Sequence, residues 1–397
     1  MNVTFSERMS TLKPSVIREI LKHSSDPNVI SFSAGNPAPE AFPAKEIAVL
    51  CAQILLEEPI AALQYSLTEG YTPLRDHLRD YMKSRHEIGR DFDELIITSG
   101  AQQVIDLATK ILCNEGDVVL CEAPSFIGSL NTFRSYHVRL HGIPMYSDGM
   151  DLNALEKALK TEPNIKFIYT IPNFQNPSGI TMSYHKRKQL YALAKQYQKI
   201  ILEDNPYGDL RVSGDPIPAI KSMDEDGLVI YAGTFSKVIS PGLRVGYTVA
   251  PKELIQKMVV GKQCSDVHTN VLAQMICSQF MTHYDYDEHL LRMKEIYTRK
   301  SSLMLREIDK HLSPLGITHE PVQGGLFVWC TLPDTIPMPE FCARAVEEKV
   351  CVVPGNAFLT DESAPCQSFR MNFSTPSDQQ IIDGVALLGK VAKQFLA

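Results

Sequence analysis

Gly227-Leu-Val-Ile-Tyr-Ala-Gly-Thr-Phe-Ser-Lys-Val-Ile-Ser-Pro-Gly-Leu-Arg-Val-Gly-Tyr247 opens as a continuous apolar run, Leu228 to Ala232, as a strand buried on both faces would. It then changes abruptly. Gly233, Thr234 and Ser236 bring small and hydroxylated side chains, Lys237 stands among them, and Arg244 follows between Gly242 and Gly246. A lysine just past a buried strand can be partly desolvated, which lowers its pKa and frees the amine to attack a carbonyl. Hydroxyls before it and an arginine after it are donors suited to a phosphate. Together they point to a Schiff base between Lys237 and a phosphate-bearing aldehyde cofactor, pyridoxal 5′-phosphate. The plainer alternative is a solvated lysine at a strand end, with a glycine-flanked arginine in a loop. The rest of the chain has to decide.

The 397 residues suffice for two domains, or one large domain and a smaller one. Hydrophobic residues at 44% and charged residues at 21% are ordinary for a soluble globular protein. A net charge of −7 without a basic block argues against nucleic acid or an anionic membrane as partner. The apolar runs are too short to span a bilayer. Met1-Asn-Val-Thr-Phe-Ser-Glu-Arg8 lacks the regions of a secretory signal, so a cytoplasmic location is expected. The nine cysteines form no C-x-x-C pair, and Cys113, Cys121, Cys277 and Cys330 sit in apolar patterns, which argues against a disulfide framework or zinc. His137 and His141 share one face of an expected strand with no third ligand in view, and no metal site is expected.

Residues 1–40 read as an arm with a short helix, in which Val16, Ile17, Ile20 and Leu21 recur at helical spacing. Ala44–Glu57 and Pro73–Arg85 read as helices. From Leu95 strands alternate with helices. The strands are Leu95–Thr98, Val118–Cys121, Val138–Ile143, Phe167–Ile171, Ile200–Leu202 and Leu228–Ala232, with Val245–Val249 expected antiparallel. The pattern predicts an α/β fold, a mostly parallel sheet sandwiched by helices over residues 41–288. Its ligand site should lie beyond the C-terminal strand ends. A long helix, Asp287–Leu312, with Leu290, Leu291, Met293, Ile296, Leu303 and Leu305 on its buried stripe, leads into a smaller α+β domain over 289–397. Strands are expected there at Leu326–Trp329, Val350–Val353 and Ser368–Phe373.

Four strand ends carry polar residues of useful kinds. Ser99-Gly-Ala-Gln102 opens a helix, and exposed N–H groups at a helix start suit a phosphate; it also reads as a simple cap. Pro172-Asn-Phe-Gln-Asn-Pro-Ser-Gly179 places Asn176 where its amide can donate to a cofactor oxygen, or in an ordinary surface turn. Glu203-Asp-Asn-Pro-Tyr207 offers Asp204 to a protonated pyridine nitrogen and Tyr207 to the ring's phenolic oxygen, unless Asp204 is merely solvated. Lys237 is the fourth.

In this order and spacing the motifs resemble the class I/II aminotransferases of pyridoxal-phosphate fold type I, from about Ser15 to the last helix. The stretches Ser15-Val-Ile-Arg-Glu-Ile20, Tyr65-Ser-Leu-Thr-Glu-Gly70 and Phe358 to Phe373 are similar to the subgroup of 2-aminoadipate, kynurenine and aromatic aminotransferases, and to the aminotransferase-like domain of MocR-type regulators. The resemblance implies that Lys237 binds pyridoxal phosphate covalently and shuttles the substrate proton. It implies that Asp204 pairs with the ring nitrogen, Asn176 and Tyr207 with the phenolic oxygen, and that Phe126 stacks on the ring. Ala101, Gln102, Thr234, Ser236 and Arg244 would hold the phosphate, with Tyr65 from a partner subunit in an obligatory homodimer. Arg370, helped by Asn176 and the backbone near Gly35, would take the substrate α-carboxylate. Arg18 resembles a contact to a distal carboxylate, or is a solvated helix charge. Thr234 stands where serine is usual, and Asn36 replaces a glycine common after Gly35, which bears on substrate range. The implied activity is ping-pong transamination of dicarboxylic or aromatic amino acids. A β-lyase or decarboxylase on the same fold, or an effector-binding domain, are the alternatives.

Overall fold

The computed structural model describes residues 3–10 and 28–396. Among these, eight strands form the central sheet: β2 (Asp93–Thr98), β3 (Val118–Ala123), β4 (Arg139–Tyr146), β5 (Gly149–Met150), β6 (Ile165–Thr170), β7 (Ile200–Asp204), β8 (Val229–Thr234) and β9 (Gly246–Pro251). Their order is β2-β9-β8-β7-β6-β3-β4-β5. Strands β4, β3, β6, β7 and β8 run parallel, whereas β9 is antiparallel to both β8 and β2, and β5 to β4. The apolar runs are continuous because both faces are covered. Val119, Phe167, Leu202 and Ile230 face α4 (Ala101–Leu112), α5 (Ile127–Ser135) and α8 (Lys252–Gln263). Their neighbours Val118, Ile168, Ile201 and Val229 face α6 (Leu152–Thr161) and α7 (Tyr184–Gln196) on the other side. The sheet is preceded by α1 (Ala44–Glu57), α2 (Pro59–Leu63) and α3 (Thr72–His86), which close over the β2 edge with α9 (Val271–His283).

The 26-residue α10 (Tyr286–His311), capped by Asp285 on the Glu288 N–H, leads to a second sheet and packs on α12 (Asp378–Lys393). That sheet, β10 (Thr318–His319), β11 (Phe327–Thr331), β14 (Ser368–Asn372) and β13 (Val353–Pro354), is antiparallel throughout, and α11 (Met338–Glu347) lies between its strands in sequence. Strand β1 (Ile30–Ser31) pairs in parallel with β12 (Val350–Cys351), so the chain near residue 30 joins the C-terminal layer.

Three expectations need correction. Val350–Val353 is two strands, because the chain changes partner at Val352: β12 joins β1 and β13 joins β14. Leu291 is 58% exposed and leaves the apolar stripe of α10, whose buried members include Leu290, Met293 and Leu303. His137 lies in the turn before β4 with φ 56°, so it does not share a strand face with His141, and the two imidazoles pair separately with Glu115 and Glu162. The expected helix around Val16 to Leu21 lies outside the described residues.

A buried ion triad pins the long β7–β8 connection to the edge of the sheet. Lys221 Nζ lies 2.7 Å from Asp93 and 2.8 Å from Asp224, all three side chains being buried. Burial pushes the Asp224 carboxyl up, but Lys221 and the N–H groups of Leu228 and Val229 outweigh it and leave it below the ordinary range. A carboxylate depressed on folding stabilises above its unfolded pKa, and that stability is lost as pH falls through the folded value. Lys221→Met is expected to lower unfolding stability by about 3–5 kcal/mol at neutral pH, since it leaves two buried carboxylates uncompensated. Urea denaturation measures it, and the deficit relative to wild type should shrink in acid, where the carboxylates take up protons.

Candidate active site

Beyond the C-terminal strand ends lies a cavity of about 370 Å³ that also receives side chains from the second sheet. Gly35, Ala101, Gln102, Phe126, Asn176, Asp204, Tyr207, Thr234, Ser236, Lys237, Arg244 and Arg370 all line it. Tyr65 does not: it is 82% exposed, its ring edge-on to His268. Arg18 lies outside the described residues.

Lys237 follows the end of β8, where the chain leaves the sheet and turns. Its Nζ donates to Gly35 O at 2.8 Å. Burial, then the positive charges of Arg370 and Arg244, push this amine down to about 8. Asp204 ends β7. Its Oδ2 accepts from the Tyr169 phenol at 2.7 Å, whereas Oδ1 is buried without a partner among the described residues. Burial raises Asp204 to about 6 and the Tyr169 hydrogen bond opposes the rise, so the group is mostly ionised at neutral pH.

One end of the cavity is a cradle of donors. Thr234 Oγ1 and Ser236 Oγ are 2.9 Å apart, and Arg244 Nη1 reaches Ser236 Oγ at 3.4 Å. Arg244 Nη2 also donates to Ser99 O at the entry to α4. Gly100 has φ +78°, and a Cβ there would meet the Arg244 guanidinium. A Cβ on Gly246 would come within 2.8 Å of Ala101 N. Glycine at both positions lets this arginine and the start of α4, whose first N–H groups lack helical acceptors, close on one small anion. The Gln102 side chain is turned away, its Nε2 donating to Thr132 Oγ1 on α5 at 2.6 Å, so its backbone is the part that faces the cradle.

At the other end Arg370, from β14, is buried between the rings of Phe327 and Phe358, with its guanidinium carbon 4.1 and 4.9 Å from their centroids. Nη1 donates to Asn176 Oδ1 at 2.7 Å and Nη2 to Ser33 O at 2.8 Å, while Nε has no partner among the described residues. Burial lowers its pKa to about 10, which still leaves it charged. The Asn176 turn is itself held from below. Glu122 Oε1 accepts from Thr170 Oγ1 and Ile171 N, and Oε2 from Gln175 Nε2; Gln175 Oε1 in turn accepts from Ser178 N. Burial raises Glu122 to about 7 against these hydrogen bonds.

Sequence reading missed Tyr169, Glu122, Phe327 and Ser33. Tyr169 and Glu122 sit inside apolar runs, where polar atoms read as incidental. The Gly324-Gly325 pair before Phe327 was the one local signal of a close approach in that segment. Taken as a set, an anion cradle, an aromatic side chain at Phe126, an unpaired carboxylate oxygen, a low-pKa amine and an unpaired Arg370 Nε fit a planar aldehyde carrying a phosphate and a basic ring nitrogen. They also leave a site for a carboxylate.

Comparison with known proteins agrees. Residues 27–386 match the family described as aminotransferase class I and II. The aromatic-amino-acid aminotransferase 1 of Thermococcus litoralis is 38% identical over 98% of this chain and 94% of its own. The 2-aminoadipate transaminase of Thermus thermophilus is 37% identical over 99% and 97%. Among solved structures, an α-aminoadipate aminotransferase from Thermus thermophilus, complexed with N-(5′-phosphopyridoxyl)-L-leucine, superposes with a TM-score of 0.90. It shares 36% identity over 99% of this chain and 98% of that one. With a family match across most of its length and relatives above a third identical, the chain belongs to the class I and II aminotransferases, a pyridoxal-phosphate-dependent family.

Proposed function

We propose that the protein binds pyridoxal phosphate at this cavity and moves an amino group from an L-amino acid to a 2-oxo acid such as 2-oxoglutarate, in ping-pong order. The substrates are dicarboxylic, such as glutamate or 2-aminoadipate, or aromatic, in keeping with the names of the relatives above. The observation that carries the reading is Lys237, an amine lowered to about 8 in a cavity that also holds an anion cradle and a buried arginine. The bound cofactor would supply an aldehyde to take up the amino group and a conjugated ring to hold the electron pair left when the Cα proton departs.

The chain's own residues do the rest. Arg244, Thr234, Ser236 and the first N–H groups of α4 would hold the phosphate, and Phe126 would cover one face of the ring. Asp204 Oδ1 would accept from the ring nitrogen and favour its protonated form. Asn176 and Tyr207 would hydrogen-bond the phenolic oxygen. Arg370 grips the substrate carboxylate through Nε and Nη, with Gly35 and Asn176 beside it. Lys237 would hold the cofactor's aldehyde carbon and, as the amine nearest the substrate, would serve as the base for the Cα proton.

A second copy of the chain is part of this reading. Leu56, Ile60, Leu63 and Tyr65 are all more than 70% exposed along α2 and its flanks, an apolar patch suited to a partner. Against that face Tyr65 would approach the partner's phosphate cradle.

Three outcomes follow. Attachment of pyridoxal phosphate to cofactor-free protein, trapped with borohydride and located at Lys237 by mass spectrometry, should accelerate with pH up to about 8 and then level off. A solvated lysine would keep accelerating toward about pH 10. Arg370→Lys should raise KM for the amino acid about a hundredfold, about 2.7 kcal/mol, while Lys237 still attaches the cofactor. Leu56→Glu combined with Leu63→Glu should give monomers in sedimentation equilibrium and loss of cofactor retention. A dimer that persists would contradict the placement of the interface.

A further inference from the structure

Asp204 is gripped by one oxygen only. Tyr169, on β6, is fully buried and donates its phenol to Asp204 Oδ2 at 2.7 Å. Ser129 Oγ, on α5, donates to the same phenol oxygen at 2.7 Å, which leaves the tyrosine proton directed at Asp204. The ring is wedged edge-on against Phe133, 5.5 Å away. Burial and the Asp204 charge hold the phenol well above its ordinary pKa, so it remains a donor. Among the described residues Oδ1 has no hydrogen-bond partner. The other titratable groups that bear on Asp204 are Glu122 on β3 and Tyr207 in the loop after β7.

We propose that Tyr169 is a positioning residue for Asp204, fixing the carboxylate so that Oδ1 alone is presented to the cofactor's ring nitrogen. The proposal rests on the reading of Asp204 as that nitrogen's partner. Donation to Oδ2 lowers the proton affinity of the carboxylate. A proton lying between Oδ1 and the ring nitrogen therefore stays on the nitrogen, where it is needed to draw electrons from Cα. Ser129 belongs to the helix whose N-cap is Phe126, so one helix sets both the face of the ring and, through Tyr169, its nitrogen.

The test uses holoenzyme loaded with pyridoxal phosphate carrying ¹⁵N in the ring, in wild type, Tyr169→Phe, Asp204→Asn and the double variant. Wild type should give the nitrogen shift of a protonated ring. Tyr169→Phe should move it toward the neutral position and lower kcat about tenfold, with KM for the amino acid changed less than about twofold. In the Asp204→Asn background, Tyr169→Phe should have no further effect on either quantity. An unchanged nitrogen shift in Tyr169→Phe, or an equal loss of kcat in both backgrounds, overturns the positioning role while leaving Asp204 in place. If Asp204→Asn itself keeps the wild-type shift and rate, the reading of Asp204 falls and the proposal with it. Thermal melting of the cofactor-free variants monitors folding. If Tyr169→Phe does not fold, Ser129→Ala, which removes only the donor to the phenol, should shift the nitrogen signal in the same direction by less, and no shift there overturns the proposal.

Discussion

Lys237 shares its cavity with Arg370, which is buried, and Arg244, which is open to solvent, and its own burial, then the charges of these two arginines, disfavours a proton on the amine. A guanidinium holds its proton more tightly than an ammonium, so the lysine is the group that yields. Much of the architecture follows from keeping this arrangement. Arg244 is fixed at one end by Ser236 and Ser99, and Arg370 at the other by Asn176, Ser33 and two aromatic faces. Lys237 itself is tied to Gly35 O, which leaves the amine ordered while its proton is loosely held.

Those positions come from the sheet. Strands β6, β7 and β8 run parallel, so their C-terminal ends lie side by side and present Asn176, Asp204 and Lys237 at one edge. Antiparallel β9 returns the chain from Arg244 alongside β8 and beside β2, which places that arginine against the start of α4. Arg370 arrives from the other sheet. The β1–β12 pairing and the Ser33 contact bring Gly35 to the same point. The site is thus assembled from segments more than 300 residues apart in sequence, Gly35 and Arg370 among them.

The central strands were legible because burial on both faces demands apolar residues at every position, as in Ile200 to Leu202 and Leu228 to Ala232. The lining residues were legible where polar side chains follow such runs directly, as Asp204 and Lys237 do. Tyr169 and Glu122 were not. Each lies inside a buried strand, where a hydroxyl or carboxylate has meaning only through a partner on another element, Asp204 for one and Gln175 for the other. Phe327 and Phe358 were hidden for a related reason: the pattern shows them as apolar without showing that a guanidinium lies between them. The break at Val352 and the exposure of Leu291 depend on which neighbour a short segment meets, and local periodicity carries no record of that.

The most direct measurement of the central claim is a single half-reaction. Protein loaded with pyridoxal phosphate is mixed with one amino acid at a time, without a 2-oxo acid, and the cofactor form and the products are then determined. One pyridoxamine phosphate and one 2-oxo acid per active site are expected, with no free ammonia and full reversal on adding 2-oxoglutarate. Release of ammonia or carbon dioxide over many turnovers without an acceptor, or a cofactor that no amino acid converts, would contradict the central claim.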